Sequence, residues 1–373
     1  MRRAIFCLIL VFALLFSAVP CRALESEEPC VSAKSAILID LAERNILYEK
    51  NAHARMPMAS TTKIITALVA SEILEPSATV KIPREAVGIE GSSIYLVENE
   101  ILTVEQLLYA LLLESANDAA TALAIAAAGS IQEFAKKCND KATELGLRNT
   151  NFTNPHGLYD ENHYTSAYDL AVLSAEALKS ELLQKIFSTK SAKIPLGATA
   201  EEPHGIGTRV LKNHNKMLSL YSGAIGMKTG FTKKSGRCLV SAAKKDELTL
   251  IAVTLNAPDD WQDHTKMLDY GFDRYEYKTF YEAGEFVYNF PLSNAECDYA
   301  SATNLTPIKA LVLKGENNIK AEVEAHFRFA IAPVKQGQML GKLSLTVGNK
   351  KYCATLVSST DICAKKEKFS FIK

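Results

Sequence analysis

Three short groups of residues in this chain combine a hydroxyl with an amine or an amide, the side chains that serine-based acyl transfer requires. They are Ser60-x-x-Lys63 in MASTTKIITALVA, Ser115-x-Asn117 in ESANDAA and Lys228-Thr229-Gly230 in GMKTGFT. A serine is a weak nucleophile until a neighbouring base takes its proton. No histidine lies beside Ser60 in this stretch, and residues three apart share one face of a helix. Lys63 is therefore the candidate base.

Each group alone also fits an ordinary structural role. S-x-x-K occurs three times in the chain, and at the first of these sites it could be the polar start of a buried helix. Ser115 or Asn117 could cap a helix, and the K-T-G group could be a turn with an exposed lysine. S-x-N and K-T-G occur only once each, however, and the three groups follow one another in elements suited to a site. Their conjunction predicts a catalytic centre.

The chemistry of such a centre gives each side chain a role. A lysine that lies near another cation and against apolar walls loses its proton more easily, so Lys228 could lower the pKa of Lys63. Ser115 offers a hydroxyl that can relay a proton, and Asn117 can both donate to and accept from a substrate amide. A backbone N–H at the start of the Ser60 helix could stabilise a developing oxyanion.

The K-T-G group has features of a substrate-binding strand. Thr229 can hydrogen-bond a carboxylate, and Gly230 lets a substrate backbone approach closely. Alternation along a strand would point Lys228 and Thr229 to opposite faces, so their joint action does not follow from the strand pattern alone.

The surrounding sequence predicts the elements that hold these groups. Residues 36–51, AILIDLAERNILYEKN, have the pattern of a hairpin, and TTKIITALVASEIL has helical spacing. Side-chain caps at Thr103, Ser130 and Ser166 mark the starts of further helices. From about residue 237 two strands and a closing helix follow. Strands around a long helical insert indicate an α/β domain over residues 31–275, with a mixed sheet and a helical cluster.

The period of the apolar residues changes beyond Tyr277, from helical spacing to alternation. KALVLKG, IKAEVEAHF, GKLSLTVGN and KYCATLVSS alternate apolar and polar residues, as strands do. We therefore expect a small β-rich domain over residues 277–373. The final stretch AKKEKFSFIK has neither the length nor the amphipathic moment of a membrane helix, and the sequence leaves membrane contact open.

Composition argues against several partners and cofactors. Lys+Arg and Asp+Glu both total 42, so the formal net charge of zero does not favour nucleic acid. Neither the cysteines nor the seven histidines have metal-ligand spacing, so we expect no metal and no other cofactor. His156 in NPHGL could be a base, but a structural role in a Pro/Gly loop is the favoured interpretation.

The amino terminus predicts export. Two arginines precede an apolar run from Ala4 to Val19, and small residues up to Ala23 indicate a signal peptide over residues 1–23. The run is short for a membrane span. Export would place the mature chain in the cell envelope, either in the periplasm or at the cell surface, where disulfides are permitted.

The same segments resemble the D-alanyl-D-alanine carboxypeptidase family, the low-molecular-mass penicillin-binding proteins. The motif trio is shared with class A β-lactamases. MASTTKIITALVA, LLLESANDAA, NPHGL and GMKTGFTKKSGRCLVSAA extend the resemblance over roughly residues 35–275. It implies a penicillin-recognising, transpeptidase-like fold followed by a β-rich domain. It also implies release of the terminal D-alanine of peptidoglycan stem peptides through an acyl-enzyme, with β-lactams as covalent inhibitors.

The resemblance also assigns site residues by matching position. Ser60 is the nucleophile and Lys63 the base, with Ser115 and Asn117 as the second catalytic element. The substrate-binding residues that it implies are Lys228, Thr229, Gly230 and Phe231. The first two of these would hold the terminal carboxylate, and the backbone N–H of Phe231 would join that of Ser60 in an oxyanion hole.

Two other functions stay open at this point. A β-lactamase of the same fold would need an extra general base for the deacylating water, and no stretch clearly provides the glutamate that class A enzymes use. A non-catalytic protein that binds wall peptides would keep the fold around a dead site. The intact motif trio argues against that interpretation.

Overall fold

The computed structural model describes residues 28–198, 207–315, 319–325, 330–348 and 350–365. The predicted signal peptide, His204, His326 and most of AKKEKFSFIK lie outside these ranges. No helix in the described part of the chain is both long and apolar enough to cross a membrane.

The helices and strands follow one another in the order that the sequence suggests. The strands of the amino-terminal part are β1 Ser35–Asp40, β2 Ile46–Lys50, β3 Thr79–Lys81, β4 Ile101–Thr103, β5 Ser191–Pro195, β6 Thr208–Lys212, β7 Ala224–Thr232, β8 Gly236–Lys245 and β9 Leu248–Leu255. Its helices are α1 Lys63–Ile73, α2 Val104–Leu113, α3 Asn117–Ala128, α4 Ile131–Glu144, α5 Ala167–Ala177, α6 Glu181–Ser188, α7 Met217–Leu220 and α8 Asp260–Arg274, with 3₁₀ turns at Ala59–Thr62 and Arg84–Ala86. The carboxyl-terminal strands are β10 Tyr275–Tyr281, β11 Val287–Ser293, β12 Tyr299–Asn304, β13 Ile308–Leu313, β14 Ile319–Ala325, β15 Ala330–Ile331, β16 Met339–Val347 and β17 Lys350–Ser358.

A five-stranded sheet with the order β2-β1-β9-β8-β7 forms the centre of the amino-terminal part. The predicted hairpin over residues 36–51 and the two strands after residue 237 are confirmed. The sequence suggested a mixed sheet, but every pairing in this sheet is antiparallel. One hairpin joins β1 to β2, and two successive hairpins join β7 to β8 and β8 to β9. Strand β9 also pairs with β1. This arrangement leaves β7 at an edge.

Helices cover both faces of the sheet. On one face, Ile37, Val240 and Val253 pack against the cluster of helices between β2 and β7. On the other face, Leu239 and Leu250 pack against α8. The α/β class with a helical cluster is thus confirmed as a three-layer domain. Helix α1 is buried from Lys63 to Ala70, so a lysine lies inside the domain.

Side-chain caps fix where several of these helices begin. The hydroxyl of Thr103 accepts from the backbone N–H of Gln106, and the Gln106 side chain accepts from the Thr103 N–H, a complete capping box. Ser130 and Ser166 cap α4 and α5 through their hydroxyls. All three predicted caps are confirmed. The box at Thr103 sets the start of α2, and the end of α2 carries the S-x-N segment.

The carboxyl-terminal part is a β-rich region with its own core. Its largest sheet has the order β14-β16-β17-β12-β11-β15, and Phe290, Leu343 and Leu356 lie in its buried cluster. Strand β10 pairs with β13, so the expected boundary at residue 277 falls inside a strand. The Tyr277 hydroxyl donates to Asp40 Oδ2 at 2.7 Å and so joins the two parts.

Candidate active site

The nucleophile lies on the 3₁₀ turn Ala59–Thr62, just before α1. No side chain caps the start of this turn. Instead, two of its hydroxyls donate to backbone carbonyls at its start, Thr61 to that of Met58 and Thr62 to that of Ala59. Gly157 lies so close that an added Cβ would be 2.0 Å from the Ala59 carbonyl oxygen, and its φ is +85°. A glycine is therefore required in NPHGL for the loop to seat against the turn of Ser60.

Lys63 is fully buried and its amine is held by three oxygens. Nζ lies 3.0 Å from Ser60 Oγ, 2.6 Å from Asn117 Oδ1 and 2.6 Å from the carbonyl oxygen of His156. Burial, and next the nearby Lys228 ammonium, lower the pKa of Lys63 well below its usual value, while Asp118 raises it. The site therefore favours a neutral amine.

The three contacts also orient a neutral amine. The carbonyl oxygens of Asn117 and His156 can only accept hydrogen bonds, and Asn117 Nδ2 is already used, since it donates to the Glu90 carbonyl at 2.6 Å. The two N–H groups of a neutral Lys63 are then taken by these two acceptors. The lone pair that is left faces the Ser60 hydroxyl. This geometry is that of a general base within reach of its proton.

The second element, Ser115-x-Asn117, lies in the break between α2 and α3. Ser115 has a positive φ of +60° and Asn117 begins α3. The Asn117 N–H donates to the Ser92 carbonyl at 2.7 Å. Asp118 is buried and accepts from the Ser93 hydroxyl and from backbone N–H groups, among them that of Leu96 at 3.0 Å. Asp118, in the first turn of α3, thus holds in place the loop that covers Asn117.

The K-T-G segment lies on the edge strand β7. Lys228 is fully buried, and its Nζ donates to the Thr229 carbonyl at 3.0 Å. Burial lowers the pKa of Lys228 to about 7. An added Cβ on Gly230 would lie 3.0 Å from the Ser60 nitrogen, so this glycine lets β7 approach the nucleophile turn. Phe231 is 66% exposed.

His156 takes part in the site through its backbone rather than its ring. Its carbonyl binds Lys63, and its Nδ1 accepts from the Leu158 N–H at 3.2 Å. Burial lowers the pKa of the His156 imidazole to about 3, so the ring is neutral. The structural interpretation of NPHGL fits this geometry, but no sequence pattern indicated that a carbonyl of this loop would hold the lysine.

A cavity of about 430 Å³ opens over the nucleophile. Its lining residues are Ser60, Ser92, Ser115, His214, Lys216, Thr229, Gly230, Phe231, Arg237, Asp260 and Trp261. Five predicted site residues thus line one cavity, and Lys63 and Asn117 contact each other behind Ser60. Sequence reasoning missed Arg237 and Trp261, which lie beyond the motifs. Within the described residues no group of three metal-ligating side chains occurs.

A cavity-lining serine beside a buried lysine, between an edge strand and a helical cluster in a three-layer α/β domain, defines the class of penicillin-recognising serine enzymes. A family model described as D-alanyl-D-alanine carboxypeptidase matches residues 22–259, and one described as penicillin-binding protein 5, C-terminal domain, matches residues 275–366. The chain belongs to the D-alanyl-D-alanine carboxypeptidase family.

Individual relatives span almost the whole chain. The D-alanyl-D-alanine carboxypeptidase DacF of Bacillus subtilis is 35% identical over 351 residues, 91% of this chain and 88% of DacF. The crystal structure of penicillin-binding protein 5 from Haemophilus influenzae superposes with a TM-score of 0.72 at 28% identity, covering 90% of this chain and 98% of that one. The DD-transpeptidase of Streptomyces K15 is 33% identical with a TM-score of 0.61, over 66% of this chain and 98% of its own.

Proposed function

We propose that this chain is a serine-type carboxypeptidase that removes the terminal D-alanine from peptidoglycan stem pentapeptides. The observation that carries this proposal is the Lys63 amine, 3.0 Å from Ser60 Oγ with its other two contacts made to pure acceptors. Family membership supplies the substrate class, since relatives of nearly full length carry the name D-alanyl-D-alanine carboxypeptidase.

Acylation follows from the geometry. Ser60 Oγ attacks the carbonyl carbon of the penultimate D-alanine while its proton moves to Lys63 Nζ. Backbone N–H groups of Ser60 and Phe231 would hold the oxyanion of the tetrahedral intermediate. When the C–N bond breaks, the leaving amine of the terminal D-alanine takes a proton from Lys63, through the Ser115 hydroxyl. The products of this step are free D-alanine and an ester on Ser60.

Deacylation reverses these roles. Water attacks the ester carbonyl and gives a proton to Lys63, and the C–O bond to Ser60 breaks as Oγ is reprotonated. A β-lactam would acylate Ser60 in the same way, but its leaving amine stays tethered to the acyl group and hinders the water. Penicillin is therefore expected to act as a slow-turnover covalent inhibitor.

Export and the division into two domains are further parts of this proposal. A signal peptide over residues 1–23 would deliver the chain to the cell envelope, where stem peptides are found. We assign catalysis to residues 31–275 and a separate β-rich domain to residues 277–373. The distinct buried clusters of the two parts support this division. Sequencing the amino terminus of the mature protein would test the cleavage after Ala23.

The test uses purified mature protein and an acylated peptide ending in D-Ala-D-Ala. We expect one D-alanine released per peptide, with and without chelator, and none from a Ser60→Ala variant. Loss of activity in chelator that zinc restores would refute this mechanism. Fluorescent penicillin separates the alternatives: a stable label supports the carboxypeptidase, rapid turnover of the label would indicate a β-lactamase, and no label would indicate a binding protein.

A further inference from the structure

His163 is a buried imidazole that the acylation chemistry does not use. The residue is 3% exposed and lies outside the lining of the cavity, so it does not meet the substrate. Its ring contacts two segments at once. Nε2 lies 2.8 Å from the hydroxyl of Thr62 on the nucleophile turn, and Nδ1 lies 3.0 Å from the backbone nitrogen of Thr153. The imidazole therefore joins the turn that carries Ser60 to the loop whose carbonyl holds Lys63.

The direction of each hydrogen bond around this ring is fixed by its neighbours. The Thr153 N–H can only donate, so Nδ1 of His163 accepts and carries no proton. Burial lowers the pKa of His163 to about 4, against the opposing effect of the Asp160 carboxylate, so the ring is neutral at neutral pH. Its one proton then lies on Nε2, which donates to the Thr62 hydroxyl oxygen. That hydroxyl donates its own proton to the Ala59 carbonyl at 2.8 Å.

This chain of hydrogen bonds ends on the peptide unit that precedes the nucleophile. In a planar trans peptide the Ala59 carbonyl and the Ser60 N–H point in opposite directions, so fixing one fixes the other. Ala59 has a φ of +48°, which costs free energy for a residue with a Cβ and must be held by its surroundings. An added Cβ would lie 2.0 Å from the Ala59 oxygen at Gly157 and 3.0 Å from the Ser60 nitrogen at Gly230. The carbonyl therefore faces the loop that holds Lys63, and the N–H faces the edge strand β7.

We propose that His163 is a positioning residue of the reaction: through the Thr62 hydroxyl it holds the peptide unit before Ser60, so that the Ser60 N–H is aimed at the oxyanion. This inference rests on the proposed carboxypeptidase function, in which that N–H belongs to the oxyanion hole. The oxyanion exists only after the serine has attacked, so the aim of the N–H acts on the transition state rather than on substrate binding. Loss of His163 should therefore lower kcat and leave KM nearly unchanged.

The first measurement is steady-state cleavage of an acylated peptide that ends in D-Ala-D-Ala. His163→Leu should lower kcat by roughly 10- to 100-fold, somewhat less than the loss of a whole oxyanion donor. Thr62→Val removes the same link at its other end and should cause a similar loss. The double variant should be little worse than either, because the two residues act as one unit. His163→Gln, whose amide can donate to Thr62 and accept from the Thr153 N–H, should recover part of the rate.

A peptide boronic acid, with boron in place of the penultimate carbonyl carbon, separates positioning from a general loss of structure. Boron becomes tetrahedral when the serine oxygen adds to it, and so imitates the intermediate. A misaimed N–H should weaken binding of the boronic acid by the same factor by which kcat falls. His264→Gln is a matched control, because His264 is fully buried and its Nε2 lies 2.9 Å from the Thr254 hydroxyl, outside the lining of the cavity. This control should lose thermal stability but keep the wild-type kcat and boronic acid affinity.

Thr62→Val loses only a hydroxyl and carries the test if His163→Leu does not fold. A folded Thr62→Val protein with the kcat and boronic acid affinity of the wild type would overturn the inference and leave the proposed function standing. The inference also fails if kcat falls while boronic acid affinity does not, or if His264→Gln causes equal losses, since the role of the buried histidine would then be structural. A wild-type protein that cleaves no D-Ala-D-Ala peptide would instead refute the proposed function.

Discussion

Replacing Lys63 by arginine should abolish acylation while the fold survives. The lysine amine lies within hydrogen-bond distance of Ser60 Oγ, with Nζ at 3.0 Å, and its other contacts orient it as an acceptor toward the serine. An arginine stays protonated at all accessible pH values and cannot take the serine proton. If Lys63 merely filled the polar start of α1, this change of one cation for another would have little effect on acylation.

The expected loss of acylation rate follows from the general-base role of Lys63. A positioned general base contributes about 10²–10⁴-fold, or about 3–5 kcal/mol of activation free energy. Lys63→Met removes the base as well, and it leaves the buried oxygens of Asn117 and His156 without their donor. Each such oxygen costs about 1–3 kcal/mol of folding stability. The Met variant should therefore be both inactive and less stable.

The assay is the rate of labelling by fluorescent penicillin, measured beside thermal unfolding of each variant. Lys141→Arg is a matched control, because Lys141 is largely buried and ion-paired to Glu72 and Glu144 away from the cavity. It should label like the wild type. A folded Lys63→Arg variant that labels at the wild-type rate would refute the general-base role, whatever the family resemblance implies.

The pH dependence of acylation gives the same role a second test. Only neutral Lys63 can accept the proton, so the rate should rise with pH and reach a plateau above the pKa of Lys63. Burial and Lys228 lower this pKa well below its usual value, so the plateau should be reached far below pH 10.5. A rate still rising steeply toward pH 10.5 would contradict this reasoning.

Three further predictions concern the supports of the site. Gly230→Ala should slow penicillin labelling by at least about tenfold with little loss of fold, because the new Cβ would lie 3.0 Å from the Ser60 nitrogen and push the nucleophile away; a labelling rate equal to the wild type would argue against this contact. Burial lowers the pKa of Lys228 to about 7 in the folded protein, against a usual value of 10.5, so the unfolded chain binds more protons between these pH values and the free energy of unfolding should rise with pH there. Urea unfolding of Lys228→Met should show a flatter dependence of this free energy on pH. An unchanged pH dependence in the variant would contradict the pKa shift. A chain cut after Tyr281 should keep carboxypeptidase activity and be more stable than one cut after Tyr275, because it retains the Tyr277 hydrogen bond to the catalytic part; an insoluble product in both cases, with the full chain soluble, would count against two independent domains.

The parts of this fold that follow from local sequence rules could be predicted. A capping box needs only Thr103 and Gln106, and both of its hydrogen bonds are present. The hairpins and the order of strands and helices follow from periodicity in the same way. The antiparallel pairing of β1 with β9 could not be derived, because it joins residues more than 200 positions apart and no local pattern records which strand lies beside which.

The site was predicted as a set of residues but not as a set of contacts. Motif spacing places Ser60 and Lys63 together, since a helical turn fixes their separation. The carbonyl of His156 has no side-chain signal, because every residue carries a backbone oxygen, and its role depends on how the NPHGL loop folds over the nucleophile turn. Arg237 was missed for a related reason: an arginine at the start of a strand becomes informative only when β7, β8 and α8 are placed around one cavity.

The charges inside the domain explain why a lysine can act as a base here. Lys63 and Lys228 are both fully buried, and Asp118 is the buried carboxylate whose charge acts on Lys63. Asp118 already accepts from a serine hydroxyl and from several backbone N–H groups, so its charge is largely compensated by these donors. If both lysines were charged, two buried ammonium groups would repel each other with little negative charge left to balance them, and burying an unpaired charge costs several kcal/mol. Releasing the proton of Lys63 costs less free energy than keeping both ammonium groups charged. Burial of Lys63, and next the nearby Lys228, thus both favour a neutral amine beside Ser60.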